Sequence, residues 1–208
     1  MTTTYLRDFI NDHCIFRCPP GFFLKGIPAP KLYSWQFYLR RAIFWPHGMT
    51  EISKWLYESH TEGHQYAAME TAGPPMLAAL QTYAFDRGAV VHGFGVRKDQ
   101  KKYGLMNWIE GFINTQEPVV ILDDLANSKS TITRCHQIVK TVNPNVVCAK
   151  TIVNKKAGST DVDGLPVQSM FSIDDFDLNW RDYYRNREEP NIDDFVAKYG
   201  TVLTTGKN

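Results

Sequence analysis

Charge of one sign is missing from this sequence: 23 Lys and Arg stand against 22 Asp and Glu, a formal net charge of +1. Proteins that grip nucleic acid usually show a basic excess, so that class is set aside and any anion-binding site must be local. A C-x-x-C pair is also missing. Of the four cysteines (Cys14, Cys18, Cys135 and Cys148), Cys14-x-x-x-Cys18 has no second half at metal-ligand spacing. Free thiols in a reducing compartment are the plainer reading. No apolar run approaches the ~20 residues a membrane-spanning helix needs. The opening Met-Thr-Thr-Thr-Tyr-Leu-Arg-Asp is too polar for a secretory signal. The expectation is a cytoplasmic protein with no membrane and no nucleic-acid partner. With 208 residues, 43% of them hydrophobic, the chain can bury a core unaided by disulfides or metals.

What is present alternates between strand and helix patterns. Residues 4–13 place Tyr5, Leu6, Phe9 and Ile10 at helical spacing, and Cys18-Pro19-Pro20-Gly21 breaks that pattern. Phe22-Phe23-Leu24 reads as a short strand, and Leu32 to Phe44, rich in aromatic and β-branched residues, reads as mostly strand. Pro46-His47-Gly48 ends it, and Thr50 caps a helix over 51–60. Tyr66–Met69 reads as a buried strand. Thr71-Ala72-Gly73 is a tight loop, and Pro74-Pro75 opens a helix to about Phe85. Strands over Ala89–Val96, Val119–Leu122 and Val146–Val153 follow, with a charged loop from Lys98 to Asn107 and a helix over Thr131–Val142. This order predicts an α/β fold with a central parallel sheet flanked by helices. The loops after Met69, Val96, Leu122 and Ile152 should then meet at the carboxyl edge of the sheet. No repeat or low-complexity segment interrupts the chain.

One stretch carries the most chemistry: Val119-Val120-Ile121-Leu122-Asp123-Asp124-Leu125-Ala126-Asn127-Ser128-Lys129-Ser130-Thr131. Four apolar residues end in two acids, then hydroxyl and amide side chains lead into a helix. Adjacent carboxylates accept hydrogen bonds from a sugar diol. Backbone N–H groups entering a helix N-terminus cradle a phosphate, and Ser128, Ser130 and Thr131 add hydroxyl donors. The plainer alternative is a strand end with two solvated acids and a helix cap. A second stretch, Arg97-Lys98-Asp99-Gln100-Lys101-Lys102-Tyr103-Gly104, is a basic loop closed by Trp108-Ile109-Glu110-Gly111. Alone, it reads equally well as a solvated charged loop.

Together these stretches resemble the type I phosphoribosyltransferases. The acidic strand resembles their motif for 5-phosphoribosyl-1-diphosphate (PRPP), and the basic loop resembles the catalytic loop of orotate phosphoribosyltransferases. Phe22-Phe23-Leu24-Lys25-Gly26 is similar to a family N-terminal motif, and Thr71-Ala72-Gly73 falls at the family's pyrophosphate loop. The resemblance spans roughly residues 20–158. It implies an enzyme that transfers the phosphoribosyl group of PRPP to orotate with Mg²⁺ as cofactor. It implies a small N-terminal hood (1–45), an α/β core (46–173) and a C-terminal extension packed on the core (174–208). It also implies a homodimer with shared active sites, because the basic loop of the family reaches into the neighbouring subunit.

The resemblance assigns roles residue by residue. Lys101, Asp123 and Asp124 are catalytic. Lys25, Thr71, Ala72, Arg97, Lys98, Tyr103, Leu125, Ala126, Asn127, Ser128, Lys129, Ser130, Thr131 and Lys155 contact substrate. Asp123 and Asp124 hold the metal indirectly, through substrate or water. Gln36 and Phe37 fall near the family's base-contacting aromatics. Three positions depart from the family pattern. Lys129 stands where glycine is usual, which either reshapes the loop or brings an ammonium to the 5′-phosphate. Lys155 replaces an arginine that pairs with the orotate carboxylate, and Asn127 replaces a threonine near the base. Two alternatives therefore stay open: a phosphoribosyltransferase for another base, and a non-catalytic PRPP-binding regulatory protein on the same fold.

Overall fold

Apolar continuity decides where the sheet lies. Val119, Val120, Ile121 and Leu122 are at most 1% exposed, and they open the strand at the middle of a seven-stranded sheet in this computed structural model. The structure describes residues 2–18, 24–25, 32–99, 108–127, 131–155, 161–176 and 178. In chain order the elements are helix α1 (Thr2–Phe9), continued by a π-helical stretch Ile10–Cys14, and strands β1 (Ile15–Arg17), β2 (Leu24–Lys25), β3 (Leu32–Tyr33) and β4 (Trp35–Phe37). Helices α2 (Arg40–Ile43) and α3 (Pro46–Glu58) follow. Next come β5 (Gln65–Met69), α4 (Gly73–Phe85), β6 (His92–Val96), β7 (Ile109–Glu110), β8 (Val119–Ala126), α5 (Thr131–Lys140) and β9 (Val146–Asn154). Strands β10 (Asp161–Val162) and β11 (Leu165–Ser172) precede a 3₁₀ turn at Ile173–Asp175.

These elements fall into two units, one of Met1–Cys14 with Leu39–Asp177, the other of Ile15–Tyr38 with Leu178–Asn208. In the second unit β1 pairs antiparallel with β4, and β2 with β3. The first unit holds the large sheet, in the order β10-β11-β9-β8-β5-β6-β7. Its five inner strands run parallel, while β10 and β7 are short antiparallel edges. One face buries Ala67, Met69, Phe94, Ile121 and Ala149 with Ile132, Cys135 and Val139 of α5. On the other, α4 packs on β5, β6 and β8, and α3 packs on α4. Lys150, 3% exposed, has its burial compensated by capping: its Nζ donates to the carbonyl of Ser59, at the C-terminus of α3, and to Ser59 Oγ at 2.9 Å. Burial lowers its pKa.

The alternation read from the sequence is present, with differences; the strand expected over Ala89–Val96, for one, begins only at His92. The expected strand over 32–44 gives way to a helical turn at Arg40–Ile43. Leu39, Ala42 and Ile43 are all buried, a helical spacing that outweighs β-propensity. Pro46 does not stop the next helix but starts it, at the first position, where a missing N–H costs nothing. Thr50 is therefore inside α3, donating to the Pro46 carbonyl at 2.9 Å. The central strand continues past Leu122, because Asp123, Leu125 and Ala126 pair with Thr151, Val153 and Asn154 of β9. Finally, the sequence reading assigned nothing to 161–172. There Asp163 and Gly164, both at positive φ (51° and 80°), turn a hairpin between β10 and β11.

Gly73 fixes how α4 meets the sheet. A Cβ there would lie 2.7 Å from the Leu122 carbonyl oxygen and 2.8 Å from the Ala68 carbonyl carbon. Both are backbone atoms that cannot swing aside, so Gly73→Ala must displace the start of α4. We expect a stability loss of about 1–3 kcal/mol, read as a lower denaturant midpoint at unchanged slope. An unaltered midpoint would show that the contact is not tight.

Candidate active site

Parallel strands deliver their carboxyl ends to one edge of the sheet. Met69 of β5 lies beside Val96 of β6, Ala68 beside Leu122 of β8, and Ala126 of β8 beside Asn154 of β9. Residues 70–72, 97–99, 127 and 155 leave this edge, the place where open α/β sheets bind ligands.

At its middle stand Asp123 and Asp124. Asp123 is 5% exposed and Asp124 half-buried. The Asp124 N–H donates to Asp123 Oδ1 at 2.9 Å, and the two carboxyls also hydrogen-bond each other. Burial first, and then the neighbouring Asp124 charge, push Asp123 well above the usual carboxylate range. Asp124 is also raised by burial, with its hydrogen bond from Asp123 and the charge of Arg40 acting against the rise. The alternation of the strand explains the two surroundings. Asp123 faces α5, where its charge raises the buried Cys135 thiol further. Asp124 faces the side of α2, which supplies Arg40.

Around the pair the edge is built closely. The Glu70–Thr71 peptide bond is cis, Thr71 is exposed and Ala72 is buried. Because Pro74 and Pro75 carry no N–H, the backbone donors left open at the start of α4 narrow to those of Ala72 and Gly73, with Thr71 just before them. Lys155 follows β9, and its N–H donates to the Ala126 carbonyl at 2.8 Å. Burial lowers its pKa to about 8. Asn127 is exposed at the end of β8, and Thr131 is the first residue of α5, whose first turn holds no acid.

Arg97 is engaged by carboxylates. Its Nη1 lies 2.8 Å from Glu110 Oε1 and 3.9 Å from Glu70 Oε1, while its buried Nε has no hydrogen-bond partner among the described residues. Glu70 Oε2 also accepts from the N–H of Lys98 at 3.3 Å, and the Lys98 side chain is exposed. Any anion that takes Arg97 must therefore compete with Glu70 and Glu110.

The structure thus brings Asp123, Asp124, Leu125, Ala126, Asn127, Thr71, Ala72, Arg97, Lys98, Thr131 and Lys155 to one edge. Lys101, Tyr103, Ser128, Lys129 and Ser130 lie outside the described residues. Lys25, Gln36 and Phe37 belong to the other unit, on β2 and β4. The sequence reading gave no role to Arg40, Glu70 or Glu110, although Glu70 directly precedes Thr71 and Glu110 closes the basic loop. Among the described residues no group of three or more His, Cys, Asp or Glu is arranged to hold a metal ion. A groove at the other end of α4, lined by Gln81, Thr82, Phe85, Ala89, Val90 and Val91, has no charged lining and does not suit a phosphorylated sugar.

Comparison with known proteins adds three findings. The chain is 26% identical over 149 residues to orotate phosphoribosyltransferase of Bradyrhizobium diazoefficiens, covering 67% of this chain and 80% of that protein. It is 24% identical over 169 residues to orotate phosphoribosyltransferase of Aquifex aeolicus, covering 79% and 87%. The crystal structure of orotate phosphoribosyltransferase from Mycobacterium tuberculosis superimposes with a TM-score of 0.65 at 18% identity, covering 84% of this chain and 98% of that one. No family model matches the chain. The fold is that of the type I phosphoribosyltransferases.

The carboxylate pair makes a prediction about stability. Asp123 binds a proton more tightly folded than unfolded, so its contribution is favourable at low pH. That contribution is lost as pH rises from the usual carboxylate range through the raised folded value. Asp123→Asn removes the cost of burying that charge. At pH 7–8 the free variant is expected to melt a few degrees above wild type, with the gap closing toward about pH 4, near the ordinary carboxylate value. A variant that melts lower at pH 7–8 would overturn this reading of the pair.

Proposed function

We propose that this chain is an orotate phosphoribosyltransferase, converting orotate and PRPP to orotidine 5′-phosphate and pyrophosphate in pyrimidine nucleotide synthesis. The observation that carries the reading is the buried Asp123–Asp124 pair at the carboxyl end of the central strand, where donors and cations from four segments meet.

The pair is unstable alone and needs donors. The two ribose hydroxyls are such donors, and binding them holds C1 in a fixed place. The 5′-phosphate is assigned to residues 128–130 and the N-terminus of α5. Mg²⁺ bound with the diphosphate supplies positive charge to the leaving group and orders its oxygens. Asp123 and Asp124 suit an indirect hold on it, since each is raised by burial and so favours a cation nearby. Thr71 and Ala72 offer a hydroxyl and backbone donors to the pyrophosphate. Arg97, Lys98 and Lys101 supply cations, Lys101 as the one that meets charge when the C1–O bond breaks. Tyr103 lies in the same basic segment, and Lys25 is assigned to substrate by resemblance alone. A homodimer with shared sites and a cytoplasmic setting complete the proposal; the latter fits the free thiols at Cys14, Cys135 and Cys148. Among the described residues no helix is long and apolar enough to cross a membrane.

A pyrophosphate-release assay with orotate, PRPP and Mg²⁺ tests this directly. Wild type should turn over, and Lys101→Ala should lose at least about 10²-fold in kcat, the scale of removing one group that stabilises transition-state charge. No turnover with orotate, or an unaffected Lys101→Ala, would reject the assignment.

One observation favours a second reading. Lys155 is half-buried and burial lowers its pKa to about 8, which makes it a weaker partner for a carboxylate than arginine. A base without a carboxylate would suit it better, and turnover with a purine in place of orotate would establish that. If orotate is the substrate, its KM should rise as pH passes about 8, where the Lys155 ammonium is lost. Lys155→Arg should flatten that rise. A KM independent of pH from 6.5 to 9 in wild type would separate Lys155 from the base.

A further inference from the structure

Arg134 occupies the first turn of α5, the helix that follows the hydroxyl-rich residues 128–130 in sequence. A cation there opposes the helix dipole, so its position calls for a compensating partner. Two are present. One guanidinium nitrogen lies 3.8 Å from Asp99 Oδ1, and the guanidinium carbon lies 5.2 Å from the centre of the Trp108 ring, within cation–π range.

Asp99 and Trp108 are the two sides of one stem. β6 and β7 pair antiparallel at Gly95–Glu110 and Val96–Ile109, and the N–H of Arg97 closes the next rung on the Trp108 carbonyl at 2.8 Å. Asp99 is where the chain leaves this stem toward Lys101, and Trp108 is where it returns. Each contact is weak alone, because Arg134 and Asp99 are exposed. The same guanidinium nevertheless touches both sides. On the same stem, Glu70 and Glu110 hold Arg97.

We propose that Arg134 is a positioning residue: it ties both sides of the basic stem to the first turn of α5. The ends of the Lys101 segment are thereby fixed relative to the Asp123–Asp124 pair. This rests on the function proposed above for Lys101.

The test combines kinetics with amide hydrogen exchange. Arg134→Ala is expected to lower kcat five- to twentyfold, with less than a twofold change in KM for PRPP and a melting temperature close to wild type. Arg134→Lys, which keeps a cation, should recover at least half of the loss on a logarithmic scale. In a Lys101→Ala background the Arg134 substitution should have no further effect. Independently of turnover, Arg134→Ala should speed exchange of the Arg97 and Glu110 amides severalfold, leaving those of Ile121 and Leu122 unchanged. A kcat within twofold of wild type, or an equal loss with and without Lys101, would overturn the inference. If wild type is silent with orotate and PRPP, the proposed function fails; unchanged exchange at Arg97 and Glu110 would then still reject the role of Arg134.

Discussion

Two neighbouring carboxylates at the middle of a sheet, one of them almost wholly buried, are hard to ionise together. Asp123 and Asp124 sit that way because β9 is long enough to pair with the whole of β8, which carries the acids past the apolar run and keeps their backbone satisfied. The backbone gains its hydrogen bonds and the side chains lose water. The result is a site with an unmet demand for donors or positive charge, held on a strand that cannot move without breaking the core.

The rest of the edge answers that demand in graded ways. Arg40 lowers the cost at Asp124 from one side. Gly73 lets α4 start directly against the Leu122 carbonyl, bringing the 71–73 donors next to the acids. Arg97 leaves the same edge but is held by Glu70 and Glu110, so an anion must compete with them for its charge. Lys155, half-neutral near pH 8, adds a cation whose strength depends on its ligand. The free protein is thus electrostatically unsatisfied at its centre and balanced at its rim, an arrangement that favours a ligand carrying hydroxyl donors and anionic groups at opposite ends.

Much of this was legible in the residues. The apolar run ending in Asp-Asp placed the central strand and the acids, and the order of strand and helix patterns gave the parallel sheet. Pro74-Pro75 marked the start of α4. Other features were hidden because they depend on partners distant in sequence. Nothing in Leu32–Phe44 says locally that Leu39, Ala42 and Ile43 will meet a core as a helical turn. Pro46 reads as a stop or as a first helical residue, and only the packing of α3 decides. Arg40 beside Asp124, the Glu70–Arg97–Glu110 cluster and the Arg134 contacts join segments far apart in the chain. The Asp163-Gly164 hairpin is different: its turn chemistry stands in the local sequence, between Val162 and Leu165.

The central claim is that burial makes Asp123 bind a proton more tightly than an ordinary carboxylate does in the free protein, and that a sugar diol and a cation favour release of that proton to solvent. Calorimetric titration of PRPP with Mg²⁺ into the protein near pH 7, in two buffers of different ionisation enthalpy, reads that proton. The account predicts saturable binding with net proton release that disappears in Asp123→Asn. Binding with no proton release, or with release unchanged in that variant, would contradict it.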